Sequence, residues 1–185
     1  MKVITILELA VRINIFLKLM NYGIGKMLNG QFYLKGQLPE DMTNIPLDKV
    51  DGFTLAWTFF GYSKGYILFI GASQIIGAIL FLINRTKIIG GFILLPILMN
   101  IIVVNYYFGV AFGAMFSAIF YLLGVVWVLG RKCEEIKYSL KKLLLKASGF
   151  KMNWEYYLFV FATLAVLVLL EYLGITLFGY ENRIV

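Results

Sequence analysis

Glu8 and Arg12 stand four residues apart inside an apolar stretch, and Asn14, Lys18 and Asn21 recur there at steps of four and three. Further along, Gln74, Asn100, Asn105 and Glu171 interrupt runs that are otherwise apolar. A charge in hydrocarbon costs at least about 2.5–3.5 kcal/mol unless it is paired or wet, so each of these side chains needs a reason. Glu8 and Arg12 have the order and spacing of an intrahelical ion pair, whose simplest role is structural. Asn14, Lys18 and Asn21 share a different face, because steps of three and four keep helical side chains close in angle. Lys18 and Glu171 fall at similar depth on segments that run in the same direction, which permits a Lys18–Glu171 ion pair. Lys18, Asn21, Gln74, Asn100, Asn105 and Glu171 fit an outward-facing polar cavity. They fit equally well as hydrogen-bonded glue between helices, worth roughly 0.6–2 kcal/mol each.

The missing residue types bound the chemistry. The chain has no histidine, and Cys133 is its one cysteine. Ser-His-Asp and Cys-His catalysis, His-ligated haem, zinc held by Cys/His clusters and an intrachain CxxC pair are therefore excluded. No loop motif supports a carboxylate site for Mg²⁺ or Ca²⁺, so no metal is expected. Cys133 reads as a reduced cytoplasmic residue or as a palmitoylation site beside a membrane.

The elements that must position the polar groups follow from apolar length. Of 185 residues, 61% are hydrophobic and 15% charged, against about half and about a quarter in soluble domains. Residues 88–130 contain no Asp, Glu, Lys or Arg, about twice the ~20 residues that one helix needs to cross a bilayer. Spans are expected over 3–28, 66–83, 88–105 (kinked near Pro96), 111–130 and 156–178. The fold expected is an all-α integral membrane protein, an antiparallel four-helix transmembrane bundle plus a fifth transmembrane helix. The charges in 3–28 argue against a cleavable signal peptide. Residues 29–64 read as one long loop, broken at Pro39 and Pro46, whose aromatic end (Phe53, Trp57, Phe59, Phe60, Tyr62, Tyr66) fits an interfacial belt. Gly71, Ser73, Gly77 and Ala78 predict close helix contact in the second span. For Gly113, Ala114, Ser117 and Ala118 in the fourth, contact and ordinary composition stay equally open.

The net charge is +7, but the cations lie in short loops beside apolar spans, so nucleic acid is not the expected partner. One side of the predicted bundle carries ten cations against three acids, the other five against five. The positive-inside rule puts the N-terminus in the cytoplasm, and loop 29–64 and the C-terminus outside, in a multi-pass protein of the bacterial inner membrane. Residues 131–151 hold seven cations, with Ile136, Leu140, Leu143, Leu144 and Ala147 at helical spacing. This segment fits a basic amphipathic helix on an anionic leaflet or a topology-setting loop. The organisation expected is a bundle over 1–130, a basic cytoplasmic segment over 131–155, and a fifth span with a short external tail over 156–185.

The stretches Gly23–Phe32, Trp57–Ser63, Phe69–Leu80, Asn84–Thr86 and Leu95–Ile101 resemble, in order, the DoxX-like membrane proteins of bacteria, over about residues 8–130. The resemblance implies a four-helix bundle with a loop after its first helix, to which residues 131–185 are an addition. It also implies a setting of quinone- or thiol-connected oxidation, as for the small subunit of thiosulfate:quinone oxidoreductase. Where many relatives carry an acidic residue in the second span, this chain has Gln74, which argues against proton transfer there. The function expected is an accessory membrane protein that binds a quinone, lipid or other small amphiphile, or scaffolds a membrane redox complex. Its ligand-binding groups would be Lys18, Asn21, Gln74, Asn100 and Glu171, with aromatic packing from Trp57, Phe60 and Tyr62. The alternatives are a quinone-linked oxidoreductase subunit and a small transporter that uses Lys18 and Glu171. No cofactor is intrinsic; quinone or lipid would be bound, the partners would be membrane lipids and a redox protein, and an oligomer is allowed.

Overall fold

The computed structural model describes residues 2–110, 112–147 and 153–178. The helices are α1 (Lys2–Met27), α2 (Gly52–Gly61), α3 (Lys64–Leu82), α4 (Lys87–Tyr107), α5 (Phe112–Gly130), α6 (Cys133–Ala147) and α7 (Trp154–Phe178). Short 3-10 turns at Glu40–Met42 and Leu47–Lys49 follow the two loop prolines, and no strand occurs among the described residues. The chain divides into two units, Met1–Ile136 and Lys137–Val185.

In the first unit α1, α3, α4 and α5 form an antiparallel four-helix bundle. α1 packs on α3, α3 on α4 and α4 on α5, and a lighter α1–α5 contact closes the ring. Ile15, Leu19, Phe81, Leu94, Leu98 and Val125 fill its centre. Helix packing without a hydrophobic drive relies on close approach, and glycine supplies it twice. A Cβ on Gly71 would lie 3.1 Å from the carbonyl oxygen of Gly23, and one on Gly90 would lie 2.2 Å from the backbone nitrogen of Phe81. Among the described residues α3, α4, α5 and the Trp154–Leu173 part of α7 are long and apolar enough to cross a membrane. α1 is longer than any of them but carries Lys2, Glu8, Arg12, Lys18 and Lys26. The protein is an all-α integral membrane protein in which a fifth apolar helix follows the bundle.

Buried residues on α1 are Glu8, Arg12, Ile15, Leu19, Gly23 and Lys26, at the steps of three and four that make one helical stripe. The polar part of that stripe locks the bundle. The Arg12 guanidinium, 2% exposed, donates through Nε to the Phe81 carbonyl at 2.9 Å, through Nη1 to Asn84 Oδ1 at 2.6 Å, and through Nη2 to the Leu82 carbonyl. These carbonyls belong to the last turn of α3, whose acceptors have no partner within their own helix. A cation there also meets the negative end of the helix dipole. Glu8 lies 3.6 Å from Arg12 and 2.5 Å from Lys87 Nζ, and it accepts from Arg131 as well. One carboxylate thus serves cations from α1, the start of α4 and the end of α5.

The loop expectation for residues 29–64 is corrected. Its aromatic end is helical, because Asp51 accepts from the Thr54 N–H at 3.0 Å and starts α2. That hydrogen bond holds the Asp51 carboxyl below the usual carboxylate range, so the cap's contribution is fully present above the ordinary titration of the carboxyl and is lost as pH falls through the lowered folded value. Ser63 caps α3 by accepting from the Tyr66 N–H. α4 runs as one helix through Pro96.

The second unit carries most of α6 and all of α7. The helical reading of 131–151 holds over Cys133–Ala147, while Lys151 lies outside the described residues, as does the tail 179–185. α7 has apolar side chains on every face, and those described are exposed along its length.

Arg12→Ala leaves the carbonyls of α3 and the Glu8 cluster without their shared donor, so stability should fall by about 3–5 kcal/mol. Arg12→Lys should recover only part of the loss, because an ammonium lacks the fork. Gly90→Ala should cost about 1–3 kcal/mol by overpacking. Thermal unfolding in detergent measures all three, and unchanged midpoints would contradict the packing.

Candidate functional site

Helical side chains lean toward the N-terminus of their own helix. A lysine at a membrane helix end usually counters this by snorkelling to the interface. Lys26, the penultimate residue of α1, does the opposite. Only 8% exposed, its Nζ donates to Gln74 Oε1 at 2.9 Å, and Gln74 Nε2 donates to the Leu19 carbonyl at 3.1 Å. Leu19 precedes Lys26 by seven residues, about 10 Å along the axis, so the ammonium is held inward, among the helices.

A cavity of about 400 Å³ opens beside this pair, within the range of about 300–1,000 Å³ usual for small-molecule sites. Leu19, Leu98, Ile101, Val104 and Ala118 supply apolar wall from α1, α4 and α5. Phe32, Phe53, Trp57 and Phe60 supply an aromatic wall from the loop and α2. Those rings hold one another: Phe53 stacks on Trp57 at 4.4 Å, and Phe32 meets Trp57 edge-on at 5.6 Å and stacks on Phe60 at 5.4 Å. The polar lining is Lys26, Gln74, Ser73, Asn100, Asn105, Ser117, Gln31 and the two tyrosines Tyr22 and Tyr121. Among the described residues none of the lining is acidic. Ser73 and Ser117 donate to the carbonyls of Phe69 and Gly113 on their own helices. Asn105 Nδ2 donates to the Ile101 carbonyl at 2.6 Å, and its buried Oδ1 has no hydrogen-bond partner among the described residues. Such a site can grip an apolar chain between aromatic and aliphatic walls and offer donors and acceptors to one polar end.

Of the residues singled out by sequence, Gln74, Asn100, Asn105, Trp57 and Phe60 line this cavity. Asn14, Lys18 and Asn21 do not: their side chains are exposed, because α1 turns its Glu8–Arg12–Ile15–Leu19 stripe inward and this second strip points elsewhere. Tyr62 is exposed and sits under Lys35 Nζ, 4.8 Å from its ring centre, away from the cavity. Glu171 belongs to α7 in the second unit, where it too is exposed. Glu8 and Arg12 meet at the opposite end of α1 from the cavity. The positive-inside count places Lys26, with Lys35, Lys49, Lys64 and Arg183, among the five cations of the external side, and the structure buries it. Its seven-residue spacing from Leu19, and Leu19's from Arg12, was the signal that could have found it.

Gln74→Leu removes the acceptor for Lys26 and the donor to Leu19, so it should destabilise the bundle by about 1–3 kcal/mol. Lys18→Ala and Asn21→Ala should stay within about 0.5 kcal/mol of the parent. Thermal unfolding of the purified variants decides between these outcomes, and a costly Lys18→Ala would return that residue to the site.

No family model and no solved structure matches the chain. Uncharacterized protein YwoB of Bacillus subtilis (strain 168) is 39% identical to it over 112 residues, which cover 60% of this chain and 69% of that protein. The chain belongs to the family of this Bacillus protein.

Proposed function

We propose that the protein is an accessory membrane protein that holds one small amphiphile, a quinone or a lipid, in the cavity beside Lys26 and Gln74. The observation that carries the reading is the contrast within that cavity, where apolar and aromatic walls surround a single buried ammonium–amide pair. Amphiphiles present the same contrast, a long apolar part and one polar end. The lining groups bind and orient, and the chain's one cysteine lies on α6, outside the lining, so holding a ligand suits them better than turning one over. The resemblance to DoxX-like proteins adds a quinone-connected setting and a redox partner as the protein to which a held ligand would be presented. Lys87 and Arg131 meet around Glu8 at one end of the bundle. Their position supports a cytoplasmic N-terminus and an external loop 29–64 in the inner membrane of a bacterial cell.

Protein purified in a mild detergent should carry a stoichiometric amphiphile visible by native mass spectrometry. Ala114→Phe, which projects a ring from the cavity wall, should lower its occupancy several-fold without lowering the thermal midpoint. Parent protein that is ligand-free after mild extraction, and that binds neither quinone nor lipid when these are added back, would refute the reading.

A further inference from the structure

We infer that the occupant of the cavity is a monoanionic amphiphile, a long-chain carboxylate whose headgroup supplies the countercharge that Lys26 lacks. The inference rests on the amphiphile reading above and names its ligand class. A buried ammonium is normally paired with an acid, because an isolated one loses its hydration without return. This chain follows that rule at the other end of the same helix, where Glu8 serves Arg12, Lys87 and Arg131 together. At Lys26 the rule is broken. Its hydrogen bond goes to the neutral amide of Gln74, and among the described residues no acid lines the cavity and no carboxylate forms an ion pair with it.

The donor count points the same way. An ammonium has three N–H donors, and Gln74 takes one, leaving two toward the cavity for the two oxygens of a carboxylate. With Lys26 the one cation in the lining among the described residues, a single negative charge neutralises the site, whereas a phosphate monoester would leave charge over. A quinone carbonyl can accept a hydrogen bond but leaves the ammonium uncompensated. The apolar walls and the stacked Phe53–Trp57 pair then take the chain behind the headgroup.

The test uses the full-length protein in non-ionic detergent with two probes of equal chain length, dodecanoate and dodecan-1-ol. Dodecanoate should bind at least about tenfold more tightly than the alcohol. Lys26→Met should abolish that preference by weakening dodecanoate binding, and Lys26→Arg should keep it. Gln74→Glu builds a carboxylate beside Lys26, so it should remove the preference even if Lys26→Met fails to fold. Equal binding of acid and alcohol in the parent, or a preference that survives both Lys26→Met and Gln74→Glu, overturns the carboxylate assignment and leaves amphiphile binding standing. Binding of neither probe overturns the carboxylate assignment, and the same protein offered quinone and phospholipid then decides the amphiphile reading separately.

Discussion

The bundle depends on one buried guanidinium. Helix α3 ends with carbonyls that have no partner within their own helix, and Arg12 reaches across from α1 to satisfy those of Phe81 and Leu82. The turn that follows is closed from within, with Thr86 Oγ1 donating to the Leu80 carbonyl at 2.8 Å and Arg12 holding Asn84. Glu8 compensates the charge and adds Lys87 and Arg131, so α1, the α3–α4 turn and the end of α5 share one electrostatic knot. The knot fixes the rotation and depth of α1. Once Arg12 is in place, Leu19 and Lys26 follow at seven-residue steps on the same face, and Lys26 is carried to Gln74.

The two ends of the bundle treat charge in opposite ways. At the Glu8 end a single carboxylate is surrounded by cations and backbone acceptors, which is the pattern of a structural clamp. At the Lys26 end a cation is buried against an amide, beside open space and an Asn105 oxygen with no partner among the described residues. Fully matched polar groups rigidify, while unmatched ones invite a ligand to complete them. The aromatic residues of α2 and the preceding loop wall this second end, and Asp51 starts the helix that carries Phe53, Trp57 and Phe60.

α1 also shows why hydropathy understates some membrane helices. Its exposed positions include Ile6, Leu9, Ile13, Leu17 and Ile24, while Glu8, Arg12 and Lys26 are turned inward. Averaged along the chain, the charges make the helix look less apolar than α3, α4 or α5; resolved by face, Glu8, Arg12 and Lys26 lie inside and many of its apolar residues lie outside.

Apolar length dictates the helical spans, since backbone satisfaction in a bilayer leaves few alternatives. The sequence also settles which chemistries are closed to the chain, because no fold can supply a histidine or a second cysteine. It also placed Glu8 and Arg12 within reach of each other, because four residues are about one turn. The tertiary structure alone decided which stripe of α1 is inside. Glu8–Arg12–Ile15–Leu19 and Asn14–Lys18–Asn21 both obey helical spacing, and spacing fixes the angle between side chains but not the direction in which either set faces. The same reason hid Lys26, which at a helix end reads as a loop cation until packing on Gly71 and Gln74 turns it inward.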